Sequence, residues 1–202
     1  MTKFSLLSYL IRFFFPVTCY GCRLSSEDIV CPSCLASFQF ISSKGRCLQC
    51  FSEVIKGSEC ACYLTPFRSC FWRSMFLFSP VLRRMLFSAC RGKIVAQNFL
   101  IEAMIRRVNM EGFYPEVVVG VETHNWRGVS DLVRQATKQI AKNYGAEGKI
   151  FFLRRKNLHQ ISQKKKVLVL VCSEAFSEKE KKLLIKKLRK FSETNMFCLS
   201  IF

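Results

Sequence analysis

Val167-Leu-Val-Leu-Val-Cys172 is the most continuous apolar run in the chain, and Ser177-Glu-Lys-Glu180 stands just beyond it. An uncharged run rich in branched side chains reads as a strand buried on both faces. Ser-x-x-Glu is a capping box, in which the serine hydroxyl and the glutamate satisfy free amides at the start of a helix. The helix it opens runs to about Phe191, with Leu184, Leu188 and Phe191 facing inward. A buried strand feeding a capped helix is the unit of a parallel sheet. The pattern extends to either side. Glu116-Val-Val-Val-Gly-Val121 reads as a strand, Asp131 to Tyr144 as a helix closed by Gly145, Lys149-Ile-Phe-Phe-Leu153 as a strand, and Asn195 to Phe202 as the last strand. Upstream, Pro80 opens a helix over Val81 to Cys90, and a second runs from Ile94 to about Val108. Phe67 to Phe78, rich in Phe and Arg, reads as a link. The expected fold is α/β, with an open, mostly parallel sheet and flanking helices over residues 76–202.

Residues 16–66 follow a different logic. They hold four close cysteine pairs: Cys19-Tyr-Gly-Cys22, Cys31-Pro-Ser-Cys34, Cys47-Leu-Gln-Cys50 and Cys60-Ala-Cys62. A tight turn brings two thiolates of such a pair to one side, and two pairs supply the four soft ligands of tetrahedral zinc. Eight ligands predict two zinc ions in a double zinc-ribbon module. Sequential pairing joins Cys19, Cys22, Cys31 and Cys34 on one ion, and Cys47, Cys50, Cys60 and Cys62 on the other. Interleaved pairing would join the first pair to the third. Cys60-x-Cys62 is tighter than the rest, so Cys70 is an alternative ligand. Reduced thiolates on metal point to a cytoplasmic location rather than to a secreted disulfide scaffold.

Residues 1–15 carry Leu6, Leu7, Leu10, Ile11 and Phe14 at helical spacing and predict a leading amphipathic helix. The run is too short to span a bilayer, and Arg12 interrupts it, which argues against a signal peptide. No membrane span is expected.

The chain has 32 Lys and Arg against 14 Asp and Glu, a formal charge of +18. Such an excess points to a polyanionic partner, or to a solvated basic face. The basic residues cluster late. Arg154, Arg155, Lys156, Lys164, Lys165 and Lys166 flank one connection, and Lys182, Lys186, Lys187, Arg189 and Lys190 lie along the last helix. Phosphate contacts from these residues, with aromatic stacking, would suit single-stranded DNA. His124 and His159 fall in expected loops with no acidic partner pattern, and read as surface or loop-packing residues.

A leading helix ending at a proline, two cysteine quartets, a helical pair and an α/β domain together resemble the ComF family, cytoplasmic proteins linked to natural competence. The resemblance covers nearly the whole chain. It implies a zinc module joined to a type I phosphoribosyltransferase-like domain, with DNA-uptake or helicase proteins as further partners. The family follows its first strand with Arg-Gly-Phe-Asn-Gln, and Arg127-Gly128-Val129-Ser130-Asp131 keeps only Arg-Gly. A working sugar-phosphate site of that kind needs an acidic pair after a strand and a Thr-Thr-Gly-x-Thr-type loop, whose glycine admits the phosphate. Cys172-Ser-Glu-Ala-Phe-Ser177 offers no glycine and no acidic pair, and Glu174 would repel the phosphate. The expectation is a degenerate, non-catalytic domain. The rivals are an active phosphoribosyltransferase with an atypical loop, and a zinc-ribbon adaptor between proteins.

Overall fold

The computed structural model describes residues 17–38, 41–42, 44–47, 51, 53–54, 60, 70–76, 79–122, 127–152, 166–172, 178–188 and 196–200. The expected leading helix, His124 and His159 lie outside them. The elements in chain order are α1 (Pro32–Ala36), β1 (Cys70–Ser74), α2 (Pro80–Cys90), α3 (Ile94–Met110), β2 (Val117–Glu122), α4 (Arg127–Tyr144), β3 (Glu147–Phe152), β4 (Val167–Val171), α5 (Glu178–Leu188) and β5 (Met196–Ser200). The five strands form one sheet in the order β1-β5-β4-β2-β3. All four pairings are parallel.

The central strands are apolar because both of their faces are covered. Every residue of β2 and β4 is buried. β2 leads through α4 to β3 on one side of the sheet, and β4 leads through α5 to β5 on the other. Right-handed crossovers in opposite directions put α4 and α5 on opposite faces. Side-chain contacts agree with that placement. Gly148 faces Ala141 and Thr137 of α4, whereas Phe151 on the other face lies under Lys187 Nζ of α5 at 5.1 Å.

β1 lies inside the stretch that sequence reading took as a link. Its Phe- and Arg-rich composition hides a strand, because Arg73 is buried in an ion pair rather than exposed to water. α2 begins where Pro80 predicts, with the Ser79 side chain accepting from the Leu82 amide at 3.2 Å. α4 starts earlier than expected, at Arg127, and the glycine there has a packing reason. A Cβ on Gly128 would stand well inside contact distance of the Cys90 carbonyl at the end of α2. Main chain cannot swing aside as a side chain can. Gly128→Ala should therefore cost about 1–3 kcal/mol, read as a lower denaturant midpoint with unchanged slope. A midpoint equal to that of the parent would refute the close approach.

Candidate metal centre

The first two cysteine pairs converge. Cys19, Cys22, Cys31 and Cys34 present sulfurs that all lie within 4.8 Å of one another. Backbone turns bring them there. The Arg23 amide donates to the Cys19 carbonyl at 2.9 Å, and Arg23 takes a left-handed φ of 66° to complete the turn. Cys31 caps α1, with Pro32 at its first position, so Cys34 sits one turn further along on the same side. Cys22 Sγ and Cys31 Sγ are 3.8 Å apart. That is far beyond a disulfide bond of about 2.05 Å. It matches the edge of about 3.8 Å expected for four sulfurs each about 2.3 Å from a shared ion. This set can hold a metal ion, and it is the sequential pairing, not the interleaved one.

The electrostatics favour a cation. Burial would raise the Cys19 thiol, but the amides of Cys31, Cys22 and Gly21 outweigh it and bring the group down from 9.0 to about 6. The amides of Gly21 and Cys31 donate to its sulfur at 3.3 and 3.2 Å. Cys34 moves the other way. Burial, then the neighbouring thiols of Cys31, Cys19 and Cys22, push it up to about 12. Four thiolates this close cannot all ionise without a compensating positive charge.

The centre belongs to the main core and not to a detached finger. Cys19, Cys34 and Phe38 join the same buried cluster as Phe76, Leu82 and Leu86. Phe38 meets Phe76 and Phe99 with ring centroids 5.9 and 5.4 Å apart. Gly21 seats this first knuckle on α2. A Cβ there would come within 2.7 Å of both Cys34 Sγ and Val81 Cγ1. Arg84 locks the contact by donating Nη1 to the Gly21 carbonyl at 2.9 Å.

The third cysteine pair repeats the backbone design of the first. Cys47 follows Cys19, and Cys50 follows Cys22, by 28 residues. At the same offset, Thr18 bridges Ser25 and Arg46 bridges Glu53, both antiparallel. The Ser26 amide donates to the Val17 carbonyl at 2.8 Å, and Val54 to Gly45 at 2.9 Å. Arg23 to Cys19 is matched by Phe51 to Cys47 at 3.0 Å. Phe51 takes a φ of 64°, beside 66° for Arg23. Cys47 is buried and Cys60 half-buried, while Cys50 and Cys62 lie outside the described residues. The repeat was legible in the sequence as that constant offset.

Sequence reading missed how this second knuckle is held. Phe51 lies under three guanidinium groups, with Arg46, Arg73 and Arg107 at 5.4, 5.1 and 5.6 Å from its ring centroid. Arg107 Nη1 donates to the Ile41 carbonyl at 3.1 Å. Glu111 serves two of the arginines, accepting from Arg73 Nε at 3.0 Å and facing Arg107 Nη2 at 2.8 Å. Burial lowers the Arg107 pKa, Glu111 opposes that, and Arg73 adds to it. These residues come from β1, α3 and the knuckle, so no local motif announces them.

A second feature lies where the strand order reverses. Ligands of open α/β sheets bind at the carboxyl ends of the strands flanking that point, here β2 and β4. Glu122 ends β2, with its side chain 1% exposed. Arg134 of α4 grips it with Nε on Oε1 and with Nη2 on Oε2 at 3.0 Å. Cys172 follows β4 and is fully buried. An acidic side chain is thus pinned at the carboxyl end of β2.

Of the basic residues expected to contact nucleic acid, Arg154, Arg155, Lys156, Lys164, Lys165, Arg189 and Lys190 lie outside the described residues. Lys182 falls within α5. Lys166 and Lys186 are exposed, and Lys187 is half-buried over Phe151. No helix among the described residues is long and apolar enough to cross a membrane. No protein-family model, no curated protein and no solved structure matches this chain.

Proposed function

We propose that this is a zinc-bound, non-catalytic protein of the ComF type, acting in natural competence and DNA uptake through contacts with single-stranded DNA. The observation that carries this reading is the four-sulfur centre built into the core of a parallel α/β domain. A structural site uses all four positions and leaves none open for substrate, as four cysteines do. Zinc fits this set because it is satisfied by tetrahedral thiolates and brings no redox chemistry. The repeated backbone around Cys47 supports a second ion, with Cys50, Cys60 and Cys62 as its further ligands. The pinned Glu122 carboxylate, and a loop after β4 without glycine, support a phosphoribosyltransferase-like fold that no longer holds its sugar phosphate. The excess of basic residues supports a polyanionic partner.

A second reading, as an adaptor, is favoured by one surface. A groove of about 810 Å³ runs between residues 28–35 and α3, floored by Val30, Phe99 and Ile101 and edged by Ile29, Leu35 and Val95. Ile29 and Leu35 are 42% and 52% exposed there, and apolar surface of that kind fits a protein partner.

Three measurements on purified protein decide between these functions. Elemental analysis should find two zinc ions per chain. Labelled oligo-dT should bind with an affinity that falls steeply between about 50 and 200 mM salt. Phosphoribosyl pyrophosphate with magnesium should give no binding heat. Absence of oligonucleotide binding would overturn the proposal, and binding of the sugar phosphate would favour the enzyme.

A further inference from the structure

Between Glu59 and Glu102 the chain contains no acidic residue. Within that stretch, Arg83, Arg84, Arg91 and Lys93 are exposed on α2 and on the turn that ends it. α2 buries Leu82, Met85, Leu86 and Ala89. Its outer face is therefore free to be polar, yet it carries an aromatic residue. Phe87 is 41% exposed. Arg83, Phe87 and Arg91 are spaced four residues apart, so they stand in line along one face, about 6 Å per step. Arg91 lays its guanidinium over the Phe87 ring at 4.2 Å.

Two costs are only partly compensated by the fold. Clustered cations with no acidic residue among them repel, and a phenyl ring held partly in water forgoes part of the free energy of its burial, even with Arg91 over one face. Asp131 of α4 approaches the far end of the helix at Cys90, but it also acts on Arg134. Arg84 ties the helix to the first knuckle through the Gly21 carbonyl. Arg23, just beyond Gly21, is exposed as well.

We propose that this ridge of α2 is a docking surface for single-stranded nucleic acid, with Arg83 and Lys93 on phosphates and a base stacked on Phe87 beside Arg91. A single strand fits both parts of the ridge. Its phosphates meet the cations, and its unpaired bases present flat faces to the ring. A duplex keeps its base faces stacked inside and offers only the first contact. The surface differs from the late lysine and arginine clusters, and assigning it rests on the single-strand reading given above.

Fluorescence anisotropy of labelled oligo-dT with the metal-replete, full-length protein tests it. Phe87→Ala should weaken binding about tenfold, and Phe87→Trp should retain it. Arg83→Gln with Lys93→Gln should reduce the slope of log affinity against log salt by about 1.4, for two phosphates lost. Oligo-rU should bind as oligo-dT does, and the matching duplex more weakly. Circular dichroism melts of each variant establish folding, and Phe87→Trp, which keeps the ring, separates stacking from a folding defect. If the parent binds no oligonucleotide, the single-strand reading fails and this inference with it. If the parent binds and all α2 variants bind equally well, the inference alone fails and the late basic clusters carry the strand. Binding to phosphatidylglycerol–phosphatidylcholine vesicles through Arg83 and Lys93, with none to oligonucleotides, would make the ridge a membrane contact and overturn the assignment.

Discussion

Removing metal from the four-sulfur centre is expected to lower the thermal midpoint of the whole protein by about 10 °C or more, rather than to loosen residues 17–38 alone. Cys19 and Cys34 are 1% and 5% exposed and share one core with Phe38, Phe76 and Leu82. Loss of the ion leaves buried sulfurs close together, with Cys34 retaining its proton up to about 12. In isolated zinc-finger peptides the metal supplies roughly 10–16 kcal/mol, comparable with the entire stability of an ordinary domain. Losing even about 5 kcal/mol would produce the stated shift in a chain of this size. The check is a pair of thermal scans, with and without a zinc chelator, followed by near- and far-ultraviolet circular dichroism. Cys34→Ser should reproduce the chelator effect, and Cys90→Ser should not. Acid should act in the same direction. Cys19 is depressed from 9.0 to about 6, so its contribution is present above the ordinary thiol value and is lost as pH falls through about 6. Metal release should steepen there. A midpoint unchanged after complete metal loss would show that the core stands without the centre.

Glu111→Gln should be strongly destabilising, at about 3–5 kcal/mol. The glutamate is the carboxylate that Arg73 and Arg107 share, and those side chains are only 7% and 5% exposed. Glutamine keeps the shape and one acceptor but removes the charge, so two guanidinium groups stay close together in a poorly solvated site. Arg107 already has its pKa lowered by burial and by Arg73, and its Nε has no hydrogen-bond partner among the described residues. Adding Arg107→Met to Glu111→Gln should recover part of the loss, because one of the two buried cations is then gone. Denaturant midpoints for the two single variants and the double variant give the coupling directly. A cost below about 1 kcal/mol for Glu111→Gln would mean that solvent reaches the cluster and screens it.

The layered fold was readable because its signals are local. Val117 to Val121 and Val167 to Val171 are apolar without alternation, Pro80 marks a helix start, and Gly145 marks an end. The convergence of Cys19, Cys22, Cys31 and Cys34 was readable for the same reason, since the spacing within each pair is set by one turn of chain. β1 was not readable. Its partner β5 lies far along the chain, and Arg73 breaks the apolar pattern for the sake of Glu111. The cage of arginines around Phe51 and the grip of Arg134 on Glu122 were hidden too, because each joins residues from elements that meet only after folding. Arg127-Gly128, read from the sequence as part of a loop, opens α4 instead, and its glycine is required by the close approach of two helices.

The place of β5 between β1 and β4 has a consequence for biosynthesis. β1 is complete early in translation, but it has nothing to pair with until Met196–Ser200 leave the ribosome. Throughout that interval the whole ladder of β1 is open to strands of other nascent chains, and one flank of β4 joins it once Val167–Val171 have been made. Closing the sheet late, across most of the polypeptide, makes folding slow relative to helical proteins of this size. Recombinant expression should therefore gain soluble yield from lower temperature or added chaperones.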